Sequence, residues 1–74
     1  MNNFPSKDIV ERLRKQYPSG TRVELVHMND PYSKLRPGDQ GTVDFVDDMG
    51  TIFCSWDIGS SLGVVYGEDA VRKL

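Results

Sequence analysis

A chain of 74 residues with nine Lys+Arg against eleven Asp+Glu, net charge -2, has room for one small domain, and such a chain buries only ~60% of the surface its unfolded form exposes. Its 38% apolar and 27% charged content is that of a globular chain, its seven Gly and four Pro favour short strands over a helical bundle, and its single Cys excludes an internal disulfide framework or a Cys-rich zinc site. The acidic balance argues against duplex binding, which draws most of its affinity from phosphate contacts.

Ser6 to about Tyr17 reads as a helix. Ser6 is a good N-cap, Asp8 and Glu11 fall where the helix dipole favours acids, and Arg12, Arg14 and Lys15 fall where it favours cations. Ile9, Val10, Leu13 and Tyr17 form one apolar stripe, suited to cover an open end of the sheet or to mediate self-association. Pro18-Ser19-Gly20 stops the helix. From Thr21 to Val26 polar and apolar residues alternate as in a half-buried strand. Asn29 to Asp39 is a long, turn-rich loop, and Gly41 to Asp47 is a second strand with Val43 and Phe45 on one face. After the turn Asp48-Met49-Gly50, Thr51 to Trp56 is a third strand, with Ile52, Cys54 and Trp56 on one face and Phe53 on the other. Asp57-Ile58-Gly59-Ser60 turns the chain into a fourth strand, Ser61 to Tyr66, and Ala70 to Leu74 is a short last strand or a single helical turn. Taken together, residues 1–74 read as one mainly β domain: an N-terminal helix over 6–17 and, over 20–74, a small SH3-like barrel of four to five antiparallel strands.

Several segments occur in a telling order: Gly20-Thr21-Arg22-Val23-Glu24-Leu25-Val26, Met28-x-Asp30-Pro31-Tyr32, Pro37-Gly38-x-x-Gly41-Thr42-Val43, Val46-Asp47-Asp48-x-Gly50-Thr51-Ile52, and Trp56-Asp57-x-Gly59-Ser60-Ser61-Leu62-Gly63. In this combination the chain resembles, from Leu13 to Leu74, the small domain of unknown function 4314. The resemblance implies an origin in Gram-positive bacteria, their phages or their mobile elements, and carries no assigned activity. Ile58 stands where that family commonly has Asn, which weakens any role for an amide of that turn in holding a ligand, and Asp39-Gln40 replaces a Thr-Lys-like pair.

Trp56 beside Asp57 at a strand end has the makings of a ligand platform, with Ser60 and Ser61 as donors to an anion; structurally the same residues are a core plug and a turn in which Gly59 supplies a positive φ. Tyr32, Trp56 and Tyr66 are the aromatics a groove would offer an extended partner, and Lys34 and Arg36 are loop cations placed for an anionic group. Asp44, Asp47 and Asp48 do not have calcium-loop spacing and read as turn and edge solvation. His27 has no orienting partner or nucleophile near it in sequence, and Cys54, alternating with Ile52 and Trp56, reads as a small buried hydrophobe.

These readings favour binding over catalysis, with no cofactor and no metal. The leading expectation is a non-enzymatic adaptor or inhibitor from a phage or mobile element that engages a protein partner through the barrel groove at Tyr32, Trp56 and Tyr66, with Ile9, Val10, Leu13 and Tyr17 for self-association. The alternative, which rests on the genomic context that the resemblance implies, is an oligomeric counter-defence sponge for a nucleotide-type signal, with Arg22, Lys34, Arg36, Ser60 and Ser61 as its polar contributors. Nucleic-acid binding through Arg12, Arg14 and Lys15 ranks third. The unpaired Cys and the want of a signal-like or membrane-spanning apolar run lead to the expectation of a soluble, cytoplasmic protein.

Overall fold

Ser6 takes an extended backbone, with φ -65° and ψ 160°, and its hydroxyl accepts a hydrogen bond from the Ile9 amide at 3.3 Å, satisfying one of the orphan donors of the helix start. In the computed structural model, which describes residues 6–74, this cap opens helix α1, Lys7–Gln16. The strands follow as β1 Arg22–His27, β2 Gln40–Val46, β3 Thr51–Trp56, β4 Ser61–Val65 and β5 Ala70–Lys73. Residues 1–5 of the expected domain lie outside the described residues.

The five strands form one antiparallel sheet in the order β4-β3-β2-β1-β5. Tight turns dictate the β2–β3–β4 meander. Asp47 organises the first: its carboxylate accepts from the Met49 and Thr51 amides, both at 2.9 Å. Gly50, at φ 80°, supplies the left-handed residue that turn needs. The long loop between β1 and β2 is held in the same manner, Asp30 accepting from the Tyr32 amide and Asp39 from the Arg36 amide. It folds Leu35 into the core.

The core lies on the inner face of the sheet, with Val23, Leu25, Val43, Val46, Ile52, Cys54, Trp56 and Val64 buried. Burying each large aliphatic among them contributes about 1.5–3 kcal/mol relative to leaving it exposed. The helix is fastened to the β2–β3 turn by Arg14, whose Nε donates to the Val46 carbonyl oxygen at 3.1 Å and whose Nη2 pairs with Asp48 at 2.7 Å.

Two expectations are corrected. The helix stripe is not a free face for self-association: Val10 and Leu13 are buried, and Ile9 and Tyr17 pack half-buried against the core. A sheet this small leaves its core uncovered at one end, and burying the stripe there gains apolar area within the chain. Second, Val43 and Phe45 do not share a face. The β2–β3 register runs Val43↔Cys54 and then Phe45↔Phe53, so Asp44 is one extra residue, a β-bulge, and Phe45 turns outward. The mainly β fold, five antiparallel strands after one helix, is as expected, and no ladder joins β4 to β5 among the described residues. β4 and β5 are the two edges of the sheet, and the seam between them is a cleft of about 280 Å³ bordered by Leu13 and Tyr17 of α1 and by Val64, Tyr66 and Val71. The last segment is a strand rather than a helical turn, and it pairs with β1.

Candidate functional site: the outer face of the sheet

The solvent face of the sheet divides into a polar half and an apolar half. The polar half centres on Arg22 of β1. Its guanidinium forks onto Asp57, with Nη1–Oδ1 at 2.8 Å and Nη2–Oδ2 at 2.6 Å, while Nη1 also donates to Thr42 Oγ1 at 3.0 Å. Hydrogen bonding from Arg22 holds the Asp57 carboxyl below the usual carboxylate range, and the same bond raises the Arg22 pKa above its ordinary value. Alongside, Arg72 donates to Glu24 at 2.9 Å and Ser55 Oγ to Asp44 at 2.8 Å. This half satisfies itself.

The apolar half is built by the bulge. Phe45, turned outward and 55% exposed, stacks on Phe53 with ring centroids 4.9 Å apart and planes 21° from parallel. Phe53 in turn lies over Gly63 of β4, where a Cβ would come within 3.2 Å of the ring. In the next row Val65 of β4 pairs with Thr51, and Val65 too is exposed. The result is an aromatic-aliphatic platform reaching the β4 edge. The sequence signal for it was the break in alternation at Phe45-Val46, two apolar residues in succession, but alternation from Val43 assigns Phe45 to the inner face.

The residues expected to bind are dispersed. Trp56 is 3% exposed, its ring lies against Gly41, and its Nε1 donates to the Leu62 carbonyl oxygen at 2.9 Å. It is a core residue and cannot anchor a surface ligand, so the groove of Tyr32, Trp56 and Tyr66 is not assembled. Tyr32 projects from the long loop at 93% exposure, and Tyr66 follows β4 and borders the seam. Lys34 and Arg36 are exposed on the loop and form no ion pair with the described residues. Ser61 starts β4 opposite Ser55, and the Ser60 carbonyl oxygen accepts from the Trp56 amide at 2.7 Å, closing the turn. Arg22 and Asp57, expected as binding residues, pair with each other on the exposed face. Arg14 is likewise engaged with Asp48, which leaves Arg12 and Lys15 as the exposed cations of the expected nucleic-acid face.

The remaining candidates have structural employment. Asp44, Asp47 and Asp48 accept from Ser55, from two turn amides and from Arg14, and among the described residues no group of three His, Cys, Asp or Glu side chains could hold a metal ion. Burial, with a smaller contribution from the Asp44 charge, pushes the Cys54 thiol up to about 11, the opposite of what a nucleophile needs. His27 is exposed at the end of β1. No described helix is long and apolar enough to cross a membrane.

An antiparallel sheet with one helix against its inner face and an aromatic platform on its outer face defines a small β domain with a presented surface. The chain belongs to the family described as Domain of unknown function (DUF4314), whose model matches residues 6–74, nearly the whole length. No curated protein matches the chain.

Proposed function

We propose that this protein is a non-catalytic binding module that acts on a protein partner, an adaptor or inhibitor of the kind a phage or mobile element encodes. The observation that carries this reading is the Phe45–Phe53 stack, held to the solvent and continuous with the exposed Val65 at the edge of the sheet. Exposed aromatics gathered on a rigid sheet are the usual anchors of protein recognition, since they bring large area at little conformational cost. The platform and the β4 edge, with Tyr66 beside them, take the role first assigned to the groove.

The test is isolation of the tagged protein from its host, wild type beside Phe45→Ser. A partner of defined stoichiometry retained by the wild type and lost from Phe45→Ser, with the amide NMR pattern of the fold preserved, is the expected result. The same proteins retained equally by both would overturn the platform reading.

A further inference from the structure

The backbone of β4 holds an unused binding edge. The Trp56 amide donates to the Ser60 carbonyl oxygen, which fixes the phase of the β3–β4 ladder. Bonded residues alternate in an antiparallel pair, so Leu62 and Val64 direct their backbone groups to β3, and Ser61, Gly63 and Val65 direct theirs outward. The turn after β4 satisfies Val65: its amide donates to Asp69 Oδ2 at 2.9 Å, and its carbonyl oxygen accepts from the Glu68 and Asp69 amides. Asp69 thus imitates a neighbouring strand for one residue. At Ser61 and Gly63 the outward N–H and C=O groups have no such stand-in among the described residues. The segment Ser61-Leu62-Gly63-Val64-Val65 also lacks the Lys, Pro or other charges by which edge strands are normally blunted.

The stretch of chain that carries this edge has charge of one sign. From Gln40 to Gly67 there is no Lys or Arg. Beyond Val65 a second cleft, of about 240 Å³, is bordered by Val65 itself and by Asp30, Glu68 and Asp69. No cation pairs with any of these three carboxylates among the described residues. By contrast, Asp48 and Asp57 each have an Arg.

We propose that β4 receives an extended, basic segment of a protein partner as a sixth strand. Its backbone bonds to Ser61 and Gly63, its apolar side chains lie beside Val65 and Phe53, and a Lys or Arg enters the cleft of Asp30, Glu68 and Asp69. This rests on the binding-module reading and names the chemistry of the partner.

The test is amide NMR of the full chain titrated with a blocked seven-residue peptide of Thr and Val carrying Lys at both ends, beside its counterpart with Glu at both ends. The Lys peptide is expected to shift the Ser61 and Gly63 amides and slow their hydrogen exchange, and the Glu peptide to do neither. Glu68→Lys, which alters an exposed side chain, should weaken the Lys peptide by about threefold or more. Ser61→Pro, which removes an outward N–H at the first residue of an edge strand, should abolish the effect. No change at Ser61 and Gly63 at millimolar Lys peptide overturns the proposal, and equal shifts with both peptides overturn its basic specificity. Shifts of the same amides on concentrating the protein alone assign the edge to a second copy and overturn it too. A partner lost from Phe45→Ser but retained by Ser61→Pro would leave the platform reading standing and refute strand addition.

Discussion

Gly41 is the position where the packing argument is sharpest. It pairs with Trp56 across the β2–β3 ladder, and a methyl group there would sit 2.8 Å from Trp56 Cε3, 3.0 Å from Trp56 Cδ2 and 3.0 Å from the Ser55 carbonyl oxygen. None of these neighbours can retreat cheaply. The Trp56 ring is 3% exposed and tethered through Nε1 to the Leu62 carbonyl oxygen, and the Ser55 oxygen is backbone. Overpacking of this kind costs about 1–3 kcal/mol. The φ of Gly41 is not positive, so alanine's smaller unfolded-state entropy returns about 0.4–1 kcal/mol. Gly41→Ala is therefore expected to destabilise the fold by about 1–2 kcal/mol, and each kcal/mol lowers Tm by about 4–8 °C in a domain of this size. Urea denaturation followed by far-UV circular dichroism measures it. In a Trp56→Leu background, where the ring is gone and only the contact with the Ser55 oxygen is left, Gly41→Ala should cost clearly less, a coupling of about 1 kcal/mol. A Gly41→Ala midpoint equal to or above wild type, or equal costs in both backgrounds, would refute the reasoning.

Three further outcomes follow from the same contacts. The Asp57 carboxyl should titrate below ordinary aspartates and return to their range in Arg22→Gln, as followed by carboxyl carbon shifts. Because its folded pKa is depressed, the stability it contributes is present above the unfolded carboxylate range and disappears as pH falls through the folded value, so wild type and Arg22→Gln should converge in acid; a gap that persists there refutes the linkage. The buried Cys54 thiol, pushed up to about 11, should resist alkylation at pH 8 until denaturant is added, and fast labelling of the native protein would contradict its placement. Ser6→Ala should cost about 0.5–1 kcal/mol in thermal unfolding through loss of the helix cap, whereas an unchanged Tm would show that the bond to the Ile9 amide contributes nothing.

Most of the architecture was legible because local rules and tertiary packing agree. The cap at Ser6, the stop at Pro18 and the turns at Asp48-Met49-Gly50 and Gly59 bound elements whose apolar periods are clean, and these bounds appear in the fold nearly unchanged. Asp44 was illegible because a bulge adds a residue to one strand only, and whether Phe45 then turns out depends on register against β3. The seam was illegible for a related reason, since closure depends on how the β4 and β5 edges meet. Trp56 was ambiguous in sequence between platform and plug; Gly41 opposite it decides the matter, because only a glycine leaves room for the ring. The binding surface was the least legible part, being made of residues from three strands that become neighbours only in the assembled sheet.

Native mass spectrometry of the protein purified gently from its host tests the central claim most directly, since one spectrum reports both subunit count and retained ligand. A wild-type complex with a protein partner of discrete mass, absent for Phe45→Ser, is the predicted result. A homo-oligomer carrying added mass of nucleotide size, unchanged by Phe45→Ser, would contradict it.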